Sequence, residues 1–195
     1  ATQGNIHRFL FFLPGTSDPS GPSCVDYHYF SLRLNYVLEE GFADPWRPSG
    51  SNCDLDAGDA EPVLEFVNRE NLTITQIWVT HHHSDHIGGV TALANAFPNA
   101  QIFAHVNIHS LINATQLIPI AEGRELTAWG SPVQVWQVAG HTENHLAYLV
   151  TLDNRLHIFC GDTLFRAGCG RVFTGTIETL FESFDRFAQL HDDET

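Results

Sequence analysis

Thr80-His81-His82-His83-Ser84-Asp85-His86-Ile87-Gly88-Gly89 packs four histidines and a carboxylate into six positions directly after an apolar run, Thr75 to Thr80. That run predicts a short strand, and extended backbone sends successive side chains to opposite faces, so His81 and His83 share a face and His82 takes the other. Two imidazoles thereby converge on one cation. Asp85 and His86 fall where the chain turns toward a following helix, and the turn aims them at a second position nearby. A chance cluster on a loop is the competing explanation; a tag remnant would sit at a terminus and would carry no Asp.

The motif gives each metal two ligands, whereas an active zinc site holds at least three. Two later positions supply the ligand type. His141 follows the predicted strand Val133 to Val138, and Asp162 follows Leu156 to Cys160. Both sit at a strand's carboxyl end, where an open mixed sheet collects its site. Each alone is equally a turn former or helix cap; with the first motif they close a coordination shell.

Outward from the motif, strand-like and helix-like segments alternate. Glu61 to Arg69 spaces Val63, Phe66 and Val67 as a helix, with Pro62 suited to its first turn. Gly88 to Phe97 predicts one helix closed by Pro98, followed by a strand over Gln101 to His105. Leu146 to Leu152 and Leu156 to Cys160 read as strands joined by an Asp153-Asn154 turn. Glu178 to Leu190 is amphipathic, with Leu180, Phe181, Phe184, Phe187 and Leu190 on its apolar side. Tyr29 to Glu39 reads as a strand or hairpin arm, between turn-rich stretches at Pro14 to Ser23 and Gly41 to Asn52. The mixture favours an α/β layered architecture.

The chain has 195 residues and 43% hydrophobic content, which suits one globular domain. Its 23 acidic against 9 basic residues give a net charge of −14, which repels nucleic acid and anionic membranes. Neither is an expected partner. No run is long enough to span a bilayer. The four cysteines, Cys24, Cys53, Cys160 and Cys169, lack close pairing, so idle thiols in a reducing, cytoplasmic compartment are expected.

Four blocks resemble the metallo-β-lactamase superfamily and, within it, the glyoxalase II branch, the hydroxyacylglutathione hydrolases: Thr80 to Gly89, Gly140 to Tyr148, Gly161 to Thr176 and, more loosely, Asp56 to Val63. The likeness runs from about Leu34 to the end, giving an N-terminal extension over 1–28 and a metallo-β-lactamase-like domain over 29–195. The resemblance implies an αββα sandwich. It implies that His81, His83 and His141 bind a first metal, Asp85 and His86 a second, and that Asp162 bridges them. Asp at position 162 is similar to the glyoxalase-like groups; true β-lactamases of the superfamily usually carry Cys or Ser there.

Leu164 to Arg171 resembles the family's aromatic-Ala-Gly-Cys-Gly segment, which makes Arg171 the expected partner of a glutathione carboxylate and Phe173 an aromatic near the thiol portion. His145 matches a family histidine that orients a neighbour. Leu34 and Ala57 stand where the family has Asp and Pro. The family also carries a further C-terminal His, so the resemblance implies a chain lacking that part, with a second site partly occupied unless His191 or water substitutes.

The implied chemistry is hydrolysis of a hydroxyacylglutathione-type thioester. Two divalent ions, zinc first with iron or manganese as alternatives, lower the pKa of a water to supply a metal-bound hydroxide, with Asp85 orienting it. The alternatives are a mononuclear iron persulfide dioxygenase of the same superfamily, using His81, His141 and Asp162, and a metal-binding but catalytically weak homologue.

Overall fold

A computed structural model describes residues 51–190 except 70, 153, 166 and 167, and leaves out the side chains of 51–54 and 155. The expected strand at Tyr29 to Glu39, the 28/29 boundary and His191 lie outside the described residues. The elements in order are β1 (Ser51–Leu55), α1 (Ala60–Arg69), β2 (Thr73–Trp78), α2 (Ser84–Ile87), α3 (Val90–Ala96), β3 (Gln101–His105), β4 (Leu117–Ile120), β5 (Glu125–Ala128), β6 (Ser131–Gln137), β7 (Leu146–Leu152), β8 (Arg155–Phe159) and α4 (Ile177–Ala188).

These strands form two separate sheets rather than one open mixed sheet. The first, ordered β1-β2-β3-β4, is parallel throughout, and the second, ordered β5-β6-β7-β8, is antiparallel throughout. Alternation along the strands divides their side chains among three apolar layers. Ile102 and Ala104 join Val63, Phe66 and Val67 of α1 and Val90, Leu93 and Ala94 of α3. Trp78 and Phe103 point the other way, meeting Val133, Val135, Leu146, Tyr148 and Val150 between the sheets. Ala147 and Leu149, on the outer face of β7, pack with Phe187 and Leu190 at the end of α4. Helix, sheet, sheet, helix is the expected αββα order.

One irregularity tunes this pattern. Asn52 pairs with Ile74 and Cys53 with Gln76, so Thr75 is an extra residue in β2. The bulge resets the phase. Ile74 and Ile77, three apart, therefore both face the helical layer.

Three local expectations are corrected. The helix expected from Gly88 to Phe97 begins instead at Val90, as α3, with α2 a separate single turn before Gly88-Gly89, because the chain at these glycines runs against the Asp56–Ala60 turn: a Cβ on Gly88 would stand 2.6 Å from the Gly58 carbonyl oxygen, and one on Gly89 2.5 Å from the Ala60 nitrogen. Phe181 is 60% exposed rather than on the packed side of α4. Leu180 and Ser183 are buried there, and one residue's step turns the helix by about 100°, which carries Phe181 outward. The edge strands β4 and β5 are four-residue elements not anticipated from sequence; Pro119 is tolerated in β4 because that strand is at the sheet's edge.

Tyr148 ties the sheets together. Its hydroxyl, buried between them, faces the carbonyls of Val79 at 2.8 Å and Phe103 at 3.2 Å, and its ring stacks on Trp78 at 5.0 Å. Tyr148→Phe takes the hydroxyl donor from the buried Val79 carbonyl, while the Phe103 carbonyl keeps the Val79 N–H at 2.9 Å; the expected cost is about 1–2 kcal/mol, read as a lower urea midpoint at unchanged slope.

Candidate metal centre

The loops after β1, β2, β6 and β8 meet at one end of the sandwich. His81 Nε2 lies 3.0 Å from His83 Nδ1, and His141 Nε2 lies 2.9 Å from the same atom. Three ring nitrogens from two loops thus face one point.

Their outer nitrogens decide what those inner atoms carry. His141 Nδ1 stands 2.6 Å from the Arg171 carbonyl oxygen, which only accepts, so that nitrogen holds the ring proton and Nε2 turns a lone pair inward. Thr80 gives its hydroxyl proton to Asp56 Oδ2 at 2.7 Å, so at 3.0 Å it accepts from His81 Nδ1. His81 Nε2 also presents a lone pair. His83 Nδ1 carries at most one proton and faces both lone pairs at once, so as hydrogen-bonded partners the three are under-satisfied. A cation suits them, since neutral imidazoles at such spacing are the donor set of a zinc, iron or manganese site.

A second group adjoins the first. His86 Nε2 lies 3.4 Å from Asp162 Oδ1, while Asp162 Oδ2 lies 3.4 Å from His141 Nε2. The Asp162 carboxylate therefore sends one oxygen toward each group. Its Oδ1 is buried and, beyond that ion-pair contact with His86, accepts no hydrogen bond among the described residues; a buried carboxylate oxygen set beside imidazole nitrogens in this way fits a metal ligand. His81, His83 and His141 form one cluster of ligating atoms, and His81, His86 and Asp162 another. Asp85 sits at the rim: its side chain is 43% exposed, and Oδ2 is 3.7 Å from His86 Nε2.

Electrostatics separate the two halves. Burial, then the rings of His145, His86, His141 and His83, push His81 far below the usual imidazole range. Burial is also the main cause of the lowered values of His83 and His141, so the first triad is neutral at pH 7. Burial opposes charge on His86 as well, but Asp56 and then Asp162 overcome it and raise that ring to about 10.

The surrounding residues fall into place by contact. His145, fully buried, accepts the Asp162 backbone N–H at 3.2 Å and donates to the Leu146 carbonyl at 3.0 Å, so it holds the loop that carries Asp162. Phe173, 58% exposed, sets its ring 4.9 Å from that of His83 and 5.3 Å from that of His141. The Arg171 guanidinium lies over Phe173 at 5.7 Å. His82 belongs to neither cluster. Burial raises the Cys160 thiol to about 11, leaving it inert, and Cys169 is exposed.

Two contributors escape a reading by spacing. Asp56 and Thr80 fix ring protons, but Asp56 lies 24 residues before Thr80 and 30 before His86. The available signal is the Asp-Ala-Gly-Asp turn, quoted in the resemblance without a role. Glycines allow its close approach: a Cβ on Gly58 would meet the Asp85 carbonyl oxygen at 2.1 Å, and one on Gly170 would stand 2.5 Å from His141 Nδ1.

Residues 47–195 match the family model of the metallo-beta-lactamase superfamily. A hydroxyacylglutathione hydrolase of Neisseria gonorrhoeae (strain NCCP11945) is 43% identical over 136 residues, covering 70% of this chain and 52% of the relative. The chain spans about half the length of the curated relatives it matches. Among solved structures, ETHE1 from Myxococcus xanthus superposes with a TM-score of 0.62 at 29% identity, over 75% of this chain and 64% of that one. TTHA1623 in a di-iron-bound form gives 0.55 at 26% identity, over 70% and 75%. No helix among the described residues is long and apolar enough to cross a membrane.

The shifted histidines set a pH profile for the metal-free protein. Those held low gain protons on unfolding, so the stability they confer is complete above pH 6.5 and is lost as pH falls below it. His81 and His145 each contribute a slope of up to about 1.4 kcal/mol per pH unit. His86 acts oppositely: its contribution is complete below 6.5 and is lost as pH rises through about 10. Urea midpoints measured with chelator from pH 5 to 10 should peak near neutrality; a midpoint unchanged between pH 7 and 5 contradicts this assignment.

Proposed function

The chain belongs to the metallo-β-lactamase superfamily, and from that premise we propose that it hydrolyses a thioester of the hydroxyacylglutathione class at a two-metal centre. The observation that carries the reading is the divided Asp162 carboxylate, one oxygen toward His141 and the other toward His86. Identities of 41–44% to hydroxyacylglutathione hydrolases support the substrate class.

His81, His83 and His141 would hold one divalent ion, Asp85 and His86 the other, and Asp162 both. Bound zinc, or iron or manganese in its place, would supply Lewis acidity and a water acidified toward neutrality. The protein's own part is orientation. Asp85, at the rim beside His86, is placed to accept a proton from the attacking water and to hold it toward a carbonyl. Phe173 walls the opening against the histidine rings, and Arg171 offers a cation there for a carboxylate at the far end of the thioester. A thiolate leaves readily, so the site has little need of a general acid.

Removal of metal by a chelator should abolish cleavage of a hydroxyacylglutathione, with recovery on adding zinc; hydrolysis that survives complete metal removal refutes the reading. His83→Ala should lose a metal, and Asp85→Asn should cut kcat by about two orders of magnitude or more, on the scale of general-base loss. Oxygen uptake with glutathione persulfide, without thioester cleavage, would replace this reading by the mononuclear iron dioxygenase.

Arg171→Ala keeps the carbonyl that orients His141. Its expected effect is a rise in KM of about tenfold at nearly constant kcat, matching a lost charge-assisted contact to substrate. Steady-state kinetics with a glutathione thioester and with a thioester lacking the carboxylate provide the check.

A further inference from the structure

Asp56 follows β1 with its side chain buried and its backbone at φ 50°, a left-handed conformation uncommon for a residue bearing a Cβ. Its carboxylate is fully engaged. Oδ1 accepts the Thr80 backbone N–H at 2.7 Å, and Oδ2 accepts both the Thr80 hydroxyl at 2.7 Å and His86 Nδ1–H at 3.0 Å. The Thr80 hydroxyl, having spent its proton, accepts from His81 Nδ1 at 3.0 Å.

We propose that Asp56 is a positioning residue for both halves of the centre, holding His86 Nδ1–H outward by direct contact so that Nε2 is the nitrogen left to give up its proton and ligate, and directing the lone pair of His81 inward through the Thr80 hydroxyl. The proposal rests on the metal-centre reading above and adds the group that sets it. Each ring has one nitrogen in the centre and one outside, so an acceptor outside leaves the inner nitrogen free to ligate. One carboxylate does this for a histidine of each cluster. An amide at the same place reverses both arms: if its oxygen keeps the Thr80 N–H, its NH2 faces Thr80 and His86 as a donor. Thr80 then donates to His81 Nδ1, moving that ring's proton to Nε2, and His86 Nδ1 becomes an acceptor. Both inner nitrogens lose the lone pair a metal requires.

The test is Asp56→Asn in the full chain, 15N-labelled at histidine, with imidazole NMR on the metal-free protein and zinc content after loading and desalting. Wild type should show His81 protonated at Nδ1. In Asp56→Asn the proton should move to Nε2, and zinc affinity should fall about 10- to 100-fold, as for loss of a group that orients a ligand. Thr80→Val removes one arm, so His81 should lose its fixed tautomer and one zinc should weaken, while Thr80→Ser restores both. An unchanged His81 tautomer and zinc affinity in Asp56→Asn overturn the proposal. Should that variant not fold, Thr80→Val with an unaltered tautomer does so. Wild type that binds no zinc, yet whose His81 tautomer follows Asp56, defeats the metal-centre reading and leaves the hydrogen-bond assignment standing.

Discussion

Buried imidazole lone pairs aimed at one another are the constraint around which the open end of the sandwich is organised. His81, His83 and His141 meet at about 3 Å with too few protons to satisfy their inner nitrogens. Water is largely kept from His81 and His141, so little solvent compensates for the mutual opposition of the rings. The arrangement persists because two of the three outer nitrogens are held elsewhere: by Thr80 for His81, and by the Arg171 carbonyl for His141. Packing of the sheets drives the loops together, and the resulting electrostatic frustration is of the kind that a cation would relieve.

The backbone makes this crowding possible. Gly58 lies against the Asp85 peptide, Gly161 against Thr80 and His145, Gly170 against His141, and Gly140 against Leu180 of α4. Gly140 and Gly161 have φ of 148° and 46°, values that also disfavour a side chain. At these points the main chain comes closer to its neighbours than a Cβ would allow. Ser183 adds a tether from α4, donating its hydroxyl to the Ala139 carbonyl at 2.7 Å beside His141.

How much of this was legible from sequence depended on the range of the interaction. The bounded apolar runs at Leu146 to Leu152 and Gln101 to His105 gave strands with the observed limits, because a short apolar run closed by turn residues is a local property. His81 and His83 came together as alternation required. The division into a parallel and an antiparallel sheet was not legible, since pairing partners leave no mark on a single strand. Gly88-Gly89 reads as the start of the helix that begins at Val90, because what keeps the two glycines outside it, the turn at Asp56–Ala60, lies far away in sequence. Asp56 was hidden for the same reason: an acidic turn residue after a strand is commonplace, and only the fold brings it under His86.

Arg171 contributes to two surfaces at once. Its carbonyl fixes the ring of His141, while its side chain lies over Phe173 at the mouth. Gly170, immediately before it, packs on both His141 and the Asp162 carbonyl. The wall that a substrate would meet and the cage behind it are therefore one stretch of main chain. Insertions or deletions that reshape this loop to admit a new substrate would rotate His141 as they did so, whereas exchanges of the Arg171 or Phe173 side chain leave the peptide in place. Diversification of specificity at this mouth is accordingly easier by side-chain replacement than by changes in loop length.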